Sequence, residues 1–170
     1  MLYAVILPAT FEGDAAAKID ALRAASDPLH DKLAAHVTLV YPTEAETLAA
    51  PRDALAAFAK EARPLDVTFE AASAAFDHHA QTNPHLVYLL PDATGRANLV
   101  ELRRLLPLKA PGGDDPHVTI ARTGSNEAAV ALAREAGALL PMRASFGKVV
   151  LVMIDGARID IVSETPLAAT

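Results

Sequence analysis

The feature that most constrains this chain is that it repeats itself. The first half opens on an apolar run, Tyr3 to Leu7, closed by Pro8. An alanine-rich segment follows from about Asp14 to Ser26, with Ile19, Leu22 and Ala25 or Ser26 at helical spacing. A β-branched run then begins, His36-Val37-Thr38-Leu39-Val40, ended by Pro42. The second half opens in the same way, on Leu86-Val87-Tyr88-Leu89-Leu90 and Pro91. Thr94 is the expected cap of a helix carrying Leu99, Leu102, Leu105 and Leu106 on one face. His117-Val118-Thr119-Ile120-Ala121 follows. His36 lies 32 positions after Ala4, and His117 lies 31 after Leu86.

The rear of each half also corresponds. Pro51 marks a helix start with Leu55 and Phe58 on its apolar stripe, and two short strands are expected at Leu65–Glu70 and Ser73–Asp77. In the second half Ser125 caps a helix through about Gly137. Strands are expected at Met142–Phe146, Lys148–Ile154 and Arg158–Val162, the last two joined by an Asp155-Gly156 hairpin turn. Each half reads strand–helix–strand–helix–strand–strand. The expected fold is α+β: a single domain over residues 1–170, duplicated and bilobal, with repeats of approximately 1–80 and 81–170. Two pseudo-twofold-related lobes, each an antiparallel sheet with flanking helices, face a central cleft.

The repeat places the pattern His-x-Thr-hydrophobic at the same point of each half: His36-Val37-Thr38-Leu39 and His117-Val118-Thr119-Ile120. Side chains alternate across a strand, so His and Thr share one face while Val and Leu or Ile face the core. Two such faces looking at each other bracket a phosphate ester. One neutral imidazole takes a proton from attacking water, and the other, as imidazolium, protonates the leaving alkoxide. The Thr hydroxyls donate to the non-bridging oxygens. No metal or other cofactor is needed for this chemistry.

Composition narrows the ligand. There are 15 Lys and Arg against 21 Asp and Glu, a formal net charge of −6, with no Trp and 5% aromatics. A broad basic face for a DNA duplex, or an extended base-stacking platform, is not indicated. A small nucleotide or a strand end fits better. The absence of Cys excludes thiol nucleophiles and Cys-ligated metals. No Lys or Arg precedes Lys18, and no apolar run approaches the ~18 residues of a membrane span. The reading is a cytoplasmic monomer with no membrane partner.

The paired motifs resemble the two H-x-T-x motifs of the two-histidine phosphoesterase superfamily, which includes bacterial RNA 2′,3′-cyclic phosphodiesterases, also called 2′-5′ RNA ligases. The resemblance spans the whole chain. It implies His36 and His117 as the catalytic pair and Thr38 and Thr119 as phosphate-binding hydroxyls. It implies hydrolysis of 2′,3′-cyclic phosphodiesters of nucleotides or RNA ends, with reversible 2′-5′ ligation as the opposite direction. RNA-processing members have an Arg five residues after the second His, where this chain has Arg122. Strand alternation alone points Arg122 away from His117, so it joins the site only if the strand ends or bends by Ala121. Tyr41, followed by Pro42, occupies the equivalent slot of the first motif, in a region where those members commonly have Phe-Leu-Gly. Lys32 stands where they tend to carry an Arg.

Two rival readings remain at this point. One is a non-catalytic nucleotide- or phosphate-binding module on the same fold. The other is a metal-dependent hydrolase built on Asp77, His78, His79 and His85, a stretch whose plainer reading is a solvated loop and whose subtler one is a loop that borders the cleft and contacts the ligand. The loop from Pro107 to Pro116, with Gly112-Gly113 and Lys109, reads as a flexible connection.

Overall fold

The computed structural model describes residues 1–78, 80–108 and 115–168. Among the described residues nine strands and four helices follow one another: β1 (Leu2–Pro8), β2 (Thr10–Phe11), α1 (Asp14–Ser26), β3 (His36–Glu44), α2 (Ala49–Glu61), β4 (Leu65–Phe76), β5 (His85–Pro91), α3 (Ala93–Arg104), β6 (Val118–Thr123), α4 (Asn126–Gly137), β7 (Met142–Phe146), β8 (Lys148–Asp155) and β9 (Arg158–Pro166). They form one antiparallel sheet in the order β2-β7-β4-β5-β6-β3-β1-β8-β9, an α+β fold as the patterning predicts.

The sheet also shows how the halves combine. β3 and β6, the two motif strands, lie side by side at its centre. On one flank sit β1, β8 and β9; on the other sit β5, β4, β7 and β2. The rear strands are therefore exchanged. β4, from the first half of the sequence, pairs with β5, and β8, from the second half, pairs with β1. The β1–α1–β3 and β5–α3–β6 units are the parts that correspond one to one.

One face of the sheet is buried under the helices. Val5, Leu7, Val37, Leu39, Val67, Phe69, Val87, Leu89, Val118 and Ile120 meet Ile19, Leu55, Phe58, Leu99 and Leu102 in a single core. Each fully buried side chain of this size contributes roughly 1.5–3 kcal/mol. Gly95 is a close-packing requirement within that core, since a Cβ there would lie 2.6 Å from Val67 Cγ1. The opposite face is open at the centre of the sheet and carries a second, smaller cluster on the first flank, Ile6, Leu33, Val150 and Val152.

Four sequence expectations are corrected. The region after α2 is one strand, β4, rather than two short ones, because pairing with β5 continues from Phe69 to Phe76 across a single register shift. The cap of α3 is Asp92, not Thr94: its carboxylate accepts from Gly95 N at 2.6 Å, and its own backbone N–H donates to Thr68 O at 2.8 Å, pinning the helix start to β4. Leu105, placed on the apolar face of α3, is 44% exposed because the helix ends at Arg104. Finally, β3 runs through Pro42 to Glu44. Beyond Val37 no further pairing with β6 is described, so the missing N–H of Pro42 falls on an unpaired edge. Ser125 does cap α4, accepting from Ala128 N at 3.2 Å, and Gly156 takes a positive φ of 58° in the β8–β9 hairpin.

Candidate active site

The two motif strands meet in a single antiparallel register pair, Val37 opposite Val118. Both valines are buried in the helix-side core. Antiparallel geometry then sets His36 across from Thr119 and Thr38 across from His117, all four half-buried on the open face. The imidazoles occupy one diagonal of this square, where residues are about 7–8 Å apart in a regular sheet and their Cβ atoms somewhat closer. They are close enough for the charge of His117 to bear on His36.

Each motif is followed by the same irregularity. In β3, Val5 pairs with Val40 but Ile6 pairs with Thr38, which leaves Leu39 as an extra residue. In β6, Val87 pairs with Ala121 but Tyr88 pairs with Thr119, which leaves Ile120 extra. A bulge of this kind flips the parity of the residues beyond it. Leu39 and Val40 are both buried, as are Ile120 and Ala121, and the next residues, Tyr41 and Arg122, return to the open face. Arg122 therefore shares the face of Thr119 despite its odd offset from His117. The strand neither ends nor needs to end by Ala121; the bulge resolves the parity instead. Tyr41 lines a small pocket with Thr38, Arg103, Asp115 and His117. Burial, the larger effect, pushes its phenol above the ordinary value, against a smaller downward pull from Arg103.

Both imidazoles are held alike. His36 Nδ1 lies 2.8 Å from Ala34 O, and His117 Nδ1 lies 2.9 Å from Asp115 O. A carbonyl only accepts, so Nδ1 carries the hydrogen in each ring and Nε2 is the atom left for proton transfer. The surroundings differ. Burial lowers the pKa of His36; the Ala34 carbonyl opposes this, and the nearby Arg23 guanidinium adds to the lowering. Arg23 is 4% exposed. Its Nε donates to Asp27 Oδ2 at 2.9 Å and its Nη2 to Leu33 O at 2.8 Å. It thereby fixes Leu33 to α1, one residue before the Ala34 carbonyl that accepts from His36 Nδ1.

Sequence reading missed Arg23 and Asp27, although their i,i+4 spacing at the end of α1 was a usable signal. It also missed Tyr88, whose ring lies 5.0 Å from that of His117 at 46°, and Arg103. Asp77 begins a loop in which His78, Gln81, Thr82 and Asn83 are exposed, and at the base of that loop its carboxylate accepts from Arg122 Nη1 at 3.1 Å, with both side chains about one quarter exposed. His78 and His85 pack edge-on against Phe76, at 4.9 and 5.1 Å between ring centroids. His79 lies outside the described residues, and among those described no group of three His, Asp or Glu side chains is assembled for a metal. Residues 109–114 of the Pro107–Pro116 loop also lie outside them. Asp115, at the end of that loop, pairs with Arg96. Lys32 donates to Ala157 O at 3.0 Å, in the β8–β9 turn.

Among the described residues no helix is long and apolar enough to cross a membrane. The curated proteins include no match to the chain. Solved structures do resemble it. Escherichia coli LigT complexed with 3′-AMP superposes with a TM-score of 0.57 at 15% identity, over 98% of this chain and 99% of that one. Kluyveromyces marxianus Usb1 superposes with a TM-score of 0.56 at 10% identity, over 98% of each chain, and the same protein with uridine monophosphate gives 0.56 at 9% over 97% and 98%. These likenesses establish the fold. The sequence description of the 2′-5′ RNA ligase superfamily matches residues 11–158, and with that match, carried on a sheet whose centre holds both His-x-Thr motifs, the chain belongs to the 2′-5′ RNA ligase superfamily of two-histidine phosphoesterases.

Proposed function

We propose that this protein is a metal-independent cyclic phosphodiesterase that opens 2′,3′-cyclic phosphates of nucleotides or RNA ends, with 2′-5′ ligation as the reverse reaction. The observation that carries the reading is the diagonal pair of imidazoles on one open face, each with Nδ1 tied to a backbone carbonyl two residues earlier. His36 has the lowered pKa, so it is the neutral partner and the general base. Its Nε2 takes a proton as water oxygen bonds to phosphorus. The bond from phosphorus to one ribose oxygen breaks, and His117 Nε2–H protonates that oxygen. Thr38, Thr119, Arg122 and the Tyr41 hydroxyl donate to the non-bridging oxygens. The 3′-AMP and uridine monophosphate named with LigT and Usb1 support a nucleotide-sized ligand.

The test is incubation with a panel of 2′,3′-cyclic nucleotides, short cyclic-phosphate-ended RNAs and ADP-ribose 1″,2″-cyclic phosphate, with and without EDTA. Turnover of a member, unchanged by the chelator, is expected. Absence of turnover across the panel, or a strict divalent-metal requirement, overturns the proposal.

The pH profile is expected to be bell-shaped. On the acid side activity falls as His36 gains a proton, and because its pKa is lowered that limb lies below ~6.5. Stability carries the same sign. Between the lowered native value and ~6.5 the unfolded chain binds a proton that native His36 does not, so stability is lost as pH falls through that window. A kcat/KM profile whose acid limb sits above 6.5 contradicts the assignment of His36 as base.

Arg122→Ala is expected to raise KM about tenfold, the worth of one charge-assisted hydrogen bond, with a smaller change in kcat. Unchanged KM for a cyclic nucleotide removes Arg122 from the site.

A further inference from the structure

β6 lies between β3 on one side and β5 on the other. The two imidazoles bracket the β3 side, where the motifs meet at the Val37–Val118 pair. Arg122 turns the other way. Its neighbour on β5 is Leu86, and Leu86 in turn faces Ala75 near the end of β4. Asp77 follows two residues later, so the guanidinium reaches past β5 to donate from Nη1 to Asp77 Oδ2 at 3.1 Å. Two strand spacings, about 10 Å, separate the backbones that carry the two side chains. Asp77 is itself anchored. Its backbone N–H donates to Pro84 O at 2.7 Å, and its carbonyl accepts from Ala80 N at 3.2 Å. The pair is partly exposed on both sides, so an incoming anion can reach the guanidinium.

We propose that Asp77 is a positioning residue: it holds Arg122 over the β5 side, and the substrate's phosphate takes its place as acceptor when Arg122 swings toward β3. The inference rests on the phosphoesterase reading, in which Arg122 donates to a non-bridging oxygen. It adds that this donation is taken from a competing carboxylate. The exchange is chemically even. A guanidinium presents its N–H donors in one planar fork, and carboxylate and phosphate both match that fork. One anion replaces another, so the charge of Arg122 is matched throughout. The competition has a measurable consequence. Apparent affinity is reduced by the fraction of molecules in which Arg122 stands away from Asp77, and removing the carboxylate removes that reduction. The sign separates this role from a simpler one. A residue that braced Arg122 in its working position would weaken binding when lost.

The experiment is a double-mutant cycle, read by calorimetry with 3′-AMP and by initial rates on adenosine 2′,3′-cyclic phosphate. Asp77→Ala is expected to lower the Kd of 3′-AMP and the KM about two- to fivefold, the worth of one partly exposed ion pair, with a smaller change in kcat. Asp77→Asn keeps the shape and loses the charge, and it should shift both constants in the same direction. Asp77→Glu keeps the carboxylate and should restore wild-type values. In the Arg122→Ala background, Asp77→Ala should change neither constant. The backbone bonds that anchor position 77 survive these changes, and circular dichroism checks the fold. A raised Kd in Asp77→Ala overturns the proposal, because Asp77 would then brace Arg122 for binding. An unchanged Kd overturns it as well. So does an equal gain without Arg122, which would reflect only the loss of a negative charge near the ligand. Failure of 3′-AMP to bind any of the proteins overturns it together with the phosphoesterase reading. Should 3′-AMP bind and no cyclic phosphate turn over, the phosphoesterase reading fails by itself, and the calorimetric cycle still decides whether Asp77 competes for Arg122.

Discussion

Alanine at His36 or at His117 is expected to cut turnover of a cyclic nucleotide by about 10²–10⁴-fold, the usual worth of a positioned acid or base. The double replacement should cost little more than either alone, because the two imidazoles act on one displacement and losing either stops the proton traffic. Neither change should unfold the protein. Both rings are half-buried on the open face, and their neighbours Val37 and Val118, not the rings themselves, belong to the core. Circular dichroism and a urea titration check the fold, and initial rates check the chemistry. Wild-type turnover in either single variant ends the two-imidazole mechanism. Multiplicative losses in the double variant would instead mean that the rings contribute independently.

The second large effect belongs to Arg23. Arg23→Ala leaves Asp27, itself 8% exposed, as a buried carboxylate without its ion pair, and removes the donor to Leu33 O. Breaking a buried pair from one side costs about 3–5 kcal/mol. That is a large share of the ~5–15 kcal/mol by which a domain of this size is stable. Arg23→Met with Asp27→Leu removes both charges and is expected to recover much of the loss, since no lone charge remains buried. Urea midpoints for the three proteins decide it. A single variant within about 1 kcal/mol of wild type contradicts the role given to the pair. Activity should fall with stability in Arg23→Ala, because the lost bond holds Leu33, the residue before the Ala34 carbonyl that accepts from His36 Nδ1.

Much of this protein was legible before folding. The recurrence of an apolar strand, a helix and a His-x-Thr strand at spacings of 32 and 31 residues fixes two matching units, and period-two alternation fixes which face of each strand carries His and Thr. The ends of α1 and α4 and the β8–β9 turn were likewise readable, because caps, glycine and helical spacing are local signals. What the chain alone determined, then, is most of the elements and the chemistry offered by His36, Thr38, His117 and Thr119.

Tertiary structure decided the rest, for reasons that pairing alone supplies. Strand partners are chosen by which edges are free once the core closes, so only the folded sheet shows β4 crossing to β5 and β8 to β1. A bulge exists only relative to a partner strand. Hence the extra residues Leu39 and Ile120, which bring Tyr41 and Arg122 to the open face, were invisible in a period-two reading. Asp77 reaches Arg122 across 45 positions and Arg23 reaches Leu33 O around a turn, contacts that no local spacing encodes. The difference between the two otherwise equivalent flanks, Ile6 closed under Leu33 and Tyr88 open beside His117, arises from what packs over each position rather than from the residue type alone.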